Sequence, residues 1–262
     1  MAISHTALRD RITSALCQVL EPLPSVLAGW EGGSAALGAI DEYSDIDLIF
    51  LVENSAEFDE LYAAAEVAIT TVSLITCSHL DSVGRYYKLR DGGDFFLVDL
   101  CFLREGAPDR RLDVERHGRI RNLFDKGDWL RDRSLNETTL GIARDKRRQE
   151  LQDWFSVSQN FVRKAIIRGQ VVEALAAFWG YTLRPLVELL RMRHCPLRWD
   201  FGMRYLDRDL PQPVFRELQD LMYVKDPDEL SAHLEKANGW GVRLLHELEP
   251  ENEHKPTEKW GT

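Results

Sequence analysis

The sequence predicts an α+β protein: a mixed-sheet domain followed by a helical bundle. Up to about Leu130, helical and strand-like patterns alternate along the chain. From Ser134 onward the strand signals disappear and only the helical period persists. After Pro250 the residues are polar and lose all periodicity. The expected division is therefore a sheet domain over residues 1–132, a bundle over 133–250 and a polar tail over 251–262.

The first 20 residues, MAISHTALRDRITSALCQVL, read as an amphipathic helix, too interrupted by charge to be a signal peptide. An apolar strand runs from Val26 to Trp30 and is ended by Gly32 and Gly33; Ser34 then reads as the N-cap of a short helical run, Ala35 to Leu37, closed near Gly38. Ile46 to Val52 is apolar except for Asp47 and rich in β-branched types, so it reads as a buried strand entered from the polar turn Asp41–Ser44. An alanine-rich helix is expected from Phe58 to Leu74. A hairpin follows, with strands Tyr86–Arg90 and Phe95–Leu103 joined by Asp91-Gly92-Gly93-Asp94, whose glycines suit positive φ. A charged connection, Gly106 to Gly118, leads to a last strand near Arg119–Phe124, and Asp125–Asp128 makes a turn. In the second half, Ser134 and Glu137 form a capping box for a long helix to Arg168, stopped by Gly169. Further helices are expected around Val171–Arg193, Pro213–Tyr223 and Pro227–Leu248.

Composition removes several function classes. No apolar run approaches the length that spans a bilayer, so a soluble, cytoplasmic protein without a membrane partner is expected. The formal net charge of −10 speaks against nucleic acid as the primary partner and favours cationic acceptors such as amino sugars. Within the basic cluster Arg144, Lys146, Arg147 and Arg148, the charges alternate with Glu150 and Asp153, which reads as a solvated helix face. The four cysteines are scattered without paired spacing and read as core thiols. The seven histidines show no metal-binding interval. Asp41 to Val52 is not a calcium loop either, because Ile46 and Val52 stand where that loop needs glycine and glutamate.

Chemistry concentrates in GGSAALGAIDEYSDIDLIFLV, from Gly32 to Val52. Strand side chains alternate, so Asp45 and Asp47 project from one face. At about 6 Å and an effective dielectric near 20, two such carboxylates repel by about 3 kcal/mol, a penalty that a divalent cation reverses. Hard oxygen ligands at the start of a strand suit Mg²⁺, completed by substrate phosphate. Gly33 and Ser34 supply backbone N–H groups and a hydroxyl for that phosphate. Asp99, within FFLVDLCFL, shares a face with Phe95, Leu97 and Cys101; a lone carboxylate there needs either a metal or a buried arginine.

Gly-Ser, a spacer of about a dozen residues and Asp-x-Asp on a strand resemble the signature of the DNA polymerase β-like nucleotidyltransferase superfamily. The bundle, with Arg168-Gly169-Gln170, Ala174-Leu175 and Leu189-Leu190-Arg191-Met192, resembles the antibiotic nucleotidyltransferases, particularly lincosamide and aminoglycoside adenylyltransferases. The chain departs from the pattern Gly-Ser-x-Ala-Arg-Gly by carrying Leu37, so one triphosphate contact is missing or supplied elsewhere.

The resemblance implies a polymerase β-like first domain and transfer of a nucleoside monophosphate, AMP from ATP, to a hydroxyl of a small molecule such as an antibiotic. Asp45, Asp47 and Asp99 would be the catalytic, Mg²⁺-binding carboxylates; Gly33, Ser34 and Lys146 would bind the nucleotide. The general base would be Asp99, Glu173 or Glu188. The acceptor would lie between sheet and bundle, with Trp154, Phe161, Phe178, Trp179 and Tyr181 as candidate walls, although aromatic residues at helical spacing more often belong to a core. A homodimer fits the same pattern. Two alternatives remain: a toxin-like enzyme modifying protein or transfer RNA, and a scaffold that binds nucleotide without turnover.

Overall fold

The run IDLIFLV forms the strand its composition calls for, and the rest of the sheet is assembled around it. The computed structural model of the protein describes residues 4–107, 112–131 and 135–249. Its first unit, up to Leu135, contains α1 (His5–Leu20), β1 (Val26–Glu31), α2 (Gly33–Ala36), β2 (Ile46–Val52), α3 (Phe58–Val72), β3 (Ile75–Leu80), β4 (Arg85–Leu89), β5 (Leu97–Arg104), α4 (Val114–His117) and β6 (Arg121–Asp125). The six strands make one mixed sheet in the order β3-β4-β5-β2-β1-β6, with β2 and β5 parallel and the other neighbours antiparallel.

Strand alternation divides β2 between two cores. Ile46, Leu48, Phe50 and Val52 pack with Leu8, Ile12, Leu16 and Leu20 of α1 and with Leu61, Ala65 and Ile69 of α3. Ile49 and Leu51 face the other way, against Ala28, Trp30, Leu112 and Leu130. Each such fully buried aliphatic side chain contributes about 1.5–3 kcal/mol relative to exposure. That double burial holds β2 in the middle of the sheet, and Asp47 belongs to the second face, one alternation before Ile49.

Four local expectations are corrected. The short helix α2 has Gly32 as its N-cap, not Ser34, because Gly33 turns the chain at φ 55° and starts the helix before the serine. Strand β3 was not expected; it is an edge strand whose side chains are almost all exposed, so no apolar alternation marks it. Cys77 lies on β3 and is exposed, unlike a core thiol, whereas Cys101 is buried. The capping box is replaced by Asn136, whose side chain accepts the Thr139 N–H at 3.0 Å; Ser134 lies outside the described residues, as does the expected tail.

The second unit, from Asn136, contains α5 (Glu137–Ile167), α6 (Val171–Ala177), α7 (Arg184–His194), α8 (Leu206–Asp209), α9 (Gln212–Met222) and α10 (Pro227–Glu247). Gly169 ends α5 at φ 69°, where a side chain would be strained. One helix was expected over Val171–Arg193, and it is interrupted by a π turn, Phe178–Leu183. Buried Gln159 of α5 accounts for that turn: its Nε2 donates to the Tyr181 carbonyl at 3.1 Å, while Thr182 Oγ1 donates to its Oε1 at 2.6 Å. Leu151, Phe155 and Val162 of α5 share a core with Phe178, Leu186 and Leu190 and with Trp240 and Leu244 of α10.

After α7 the chain has little regular structure until α9, and a buried arginine organises it. Arg191 Nε donates to the Gly202 carbonyl at 2.8 Å, Nη1 to the Arg198 carbonyl at 3.2 Å and to Asp209 Oδ2 at 2.6 Å, and Nη2 to the Arg204 carbonyl. The side chains of Arg191 and Asp209 are 0% and 1% exposed.

Candidate active site

The parallel pairing of β2 with β5 puts Asp47 directly opposite Asp99, and the antiparallel pairing of β5 with β4 puts Asp99 opposite Tyr86. Residues in register on adjacent strands point to the same face about 4.8 Å apart, so the three side chains form a row across the sheet. At the other end of the row the Gly32 N–H donates to the Asp47 carbonyl at 2.9 Å. The glycine turn is thereby folded onto the carboxylate. A Cβ on Gly33 would stand 1.8 Å from Asp47 Oδ2, so only glycine allows this approach.

Ser34 follows within the same turn. Its Oγ is buried and has no hydrogen-bond partner among the described residues. A buried hydroxyl without a partner costs about 1–3 kcal/mol, and a ligand oxygen would satisfy it. The turn that carries Ser34 abuts Asp47 of the Asp47–Asp99 pair. Their hard oxygens suit Mg²⁺.

Asp45 sits one residue before β2 begins. Its Oδ1 accepts the Leu97 N–H at 3.0 Å, which ties the Asp41–Asp45 turn to the start of β5. Among the described residues no group of three or more His, Cys, Asp or Glu side chains is gathered closely enough to hold a metal ion. One oxygen of Asp45 is engaged by that backbone amide.

Burial raises the pKa of Asp45; the Leu97 amide and the nearby Arg9 and His5 pull it back without cancelling the shift. A carboxyl whose pKa is raised on folding stabilises the protein below the unfolded value and loses that contribution as pH rises through the folded one. Asp45→Asn is therefore expected to melt at a higher temperature than wild type at neutral pH, with the difference closing as pH falls through the raised pKa. Thermal melts across pH check this; a difference independent of pH contradicts it.

Two aromatic residues at the rim were not singled out in the sequence. Tyr43 and Phe95 meet edge to face, with ring centroids 5.5 Å apart, and are 60% and 65% exposed. Each lies two residues before a member of the Asp45–Leu97 hydrogen bond. The turn presenting Tyr43 is held by its own side chains: Tyr43 N–H donates to Asp41 Oδ1 at 3.0 Å, and Asp41 N–H to Ser44 Oγ at 2.9 Å. A period-based reading overlooks such rings because turns carry no period.

The other expected site residues belong to the second unit. Lys146 is exposed on α5. Glu188 is held by Arg147, which donates from Nε at 2.6 Å and Nη2 at 3.1 Å and also reaches Glu150 at 2.9 Å. Such a fork commits that carboxylate to a structural pair. Of the candidate aromatic walls only Phe178 is core; Trp154, Phe161, Trp179 and Tyr181 are 38–48% exposed. Phe161 and Tyr181, with centroids 5.5 Å apart, line a groove of about 460 Å³ with Lys164, Arg168 and Glu173.

No helix among the described residues is long and apolar enough to cross a membrane. No protein-family model matches the chain, and no curated protein matches it. Among solved structures it is similar to the spectinomycin adenyltransferase AAD(9) from Enterococcus faecialis, crystallised with ATP and spectinomycin. That similarity covers 91% of this chain and 97% of the other, at 9% sequence identity and a TM-score of 0.38. At so low a TM-score the residues of the Asp47–Asp99 row, and not that neighbour, carry any functional conclusion.

Proposed function

We propose that the protein is a metal-dependent nucleotidyltransferase that moves a nucleoside monophosphate, AMP from ATP, to a hydroxyl of a small acceptor such as an aminoglycoside or lincosamide. The observation that carries this is the registered pair Asp47–Asp99 with Gly33 pressed against Asp47 and the buried Ser34 hydroxyl next in the same turn.

Asp47 and Asp99, with Asp45 at the rim, would hold Mg²⁺, which when bound offsets phosphate charge and favours attack at phosphorus. Ser34 Oγ would donate to a phosphate oxygen, and Gly33 would let the phosphates approach without a side chain between them. Asp99 would accept the proton of the acceptor hydroxyl. The hydroxyl oxygen forms its bond to the α-phosphorus as the bond to the bridging oxygen breaks, and pyrophosphate leaves with the electron pair.

The test is Mg²⁺-dependent pyrophosphate release from each nucleoside triphosphate, against a panel of aminoglycosides and lincosamides. Release that requires one drug names the acceptor class; silence across the panel with nucleotide still bound counts against a small-molecule acceptor.

Tyr43 and Phe95 would place a ring of the nucleotide or of the acceptor. A stacked ring contributes about 0.5–1.5 kcal/mol beyond its buried area, so Tyr43→Ala is expected to raise one KM by up to about tenfold with kcat little changed. Whichever substrate shows the increase is the one whose ring lies there. Unchanged KM for both removes Tyr43 from the site.

A further inference from the structure

On the α1 side of the sheet, behind the carboxylate row, lies a buried charge pair. Glu31, the last residue of β1, is fully buried, and the side chain of Arg9 on α1 is 3% exposed. Arg9 Nη2 donates to Glu31 Oε1, and Arg121 Nη1 on β6 donates to Glu31 Oε2 at 3.1 Å. Arg9 Nη1 turns to the backbone instead, donating to the Asp45 carbonyl at 2.6 Å and lying 3.5 Å from that of Ser44.

Burying two charges costs several kcal/mol per ion, and apolar residues of similar volume commonly hold a core as well or better. Stability alone therefore does not account for the pair, whereas its position does. Glu31 immediately precedes Gly32, whose N–H binds the Asp47 carbonyl. One guanidinium thus joins the strand end that launches the Gly32–Ser34 turn to the residue that carries the Asp45 carboxylate. A lysine offers a single point charge in place of that planar fork and cannot reproduce both arms.

We infer that Arg9 and Glu31 are positioning residues: a buried clip that fixes the glycine turn and Asp45 relative to each other, keeping the Asp45 carboxylate on the Leu97 amide. Its value for catalysis rests on the metal-dependent reading above; its geometry does not. Two variants test it. Arg9→Met/Glu31→Leu removes both charges while keeping volume and is expected to fold with a Tm near wild type. Arg9→Lys keeps the ion pair with Glu31 and loses the carbonyl arm, and it carries the test alone if the double variant does not fold.

In both variants the Leu97 amide should exchange its hydrogen about tenfold faster, while amides in the middle of β2 stay protected. Mn²⁺ affinity, followed by electron paramagnetic resonance, should fall by a similar factor. Unchanged exchange at Leu97 overturns the clip, whatever the protein catalyses. Faster exchange in the variants of a protein that binds no Mn²⁺ even as wild type upholds the clip and removes the metal reading instead.

Discussion

Asp47→Asn is expected to abolish metal-dependent pyrophosphate release while leaving the fold intact. Asparagine matches aspartate in shape, keeps an oxygen beside Gly33 and removes the repulsion between positions 47 and 99, which stand in register on β2 and β5. The near-identical shape is expected to leave the fold standing. The charge that would hold the cation is lost, and several kcal/mol of transition-state stabilisation correspond to a fall of about a thousandfold or more in turnover. Pyrophosphate release measured beside thermal melting separates the two effects. Full metal-dependent activity in the variant would refute the assignment of Asp47, and a lost fold would show that the carboxylate serves structure.

The largest expected effect on stability lies in the other unit. Arg191→Ala leaves Asp209, 1% exposed, with Arg198 as its remaining ion-pair partner among the described residues, and it removes the donors to the carbonyls of Arg198, Gly202 and Arg204. Removing one partner of a buried pair costs about 3–5 kcal/mol because the other charge is left in a poor solvent. Arg191→Lys should recover only part of this, since one ammonium cannot reach acceptors spread from Arg198 to Asp209. Hydrogen exchange during a urea titration is the suitable measurement. Amides from Asn136 onward should lose protection at lower urea than in wild type, and those up to Leu135 should not. Equal midpoints in the second unit for wild type and Arg191→Ala would contradict the account.

Much of the architecture could be read locally. The apolar run Ile46–Val52 has the bounds of β2, and the helices near Pro213 and Pro227 begin at Gln212 and Pro227. These elements are set by short-range rules: an apolar run in β2 interrupted only by Asp47, and a proline in the first turn of α9 and of α10. The elements that escaped lack such a signal. Strand β3 has no buried face to create alternation, and the π turn depends on Gln159, which reaches it from another helix.

The site was partly legible for the same reason. The spacing of Gly33, Ser34, Asp45 and Asp47 marks a glycine turn followed by carboxylates, and Asp99 stood out as a charge in an apolar strand. Tyr86, Arg9 and Glu31 did not stand out, because a tyrosine in a strand and charges at the edges of helices and strands are ordinary until their neighbours are known.

What the sequence determined by itself, then, is the periodicity of each segment and the chemical types collected near residue 40. Tertiary structure decided which of those types meet. Parallel pairing brings β5 beside β2, aligning Asp47 with Asp99 and the start of β5 with Asp45, and the packing of α1 on the sheet encloses an arginine of α1 with a glutamate of β1. Such pairings depend on which distant segments become neighbours and on the loss of water between them, and local spacing does not record that choice.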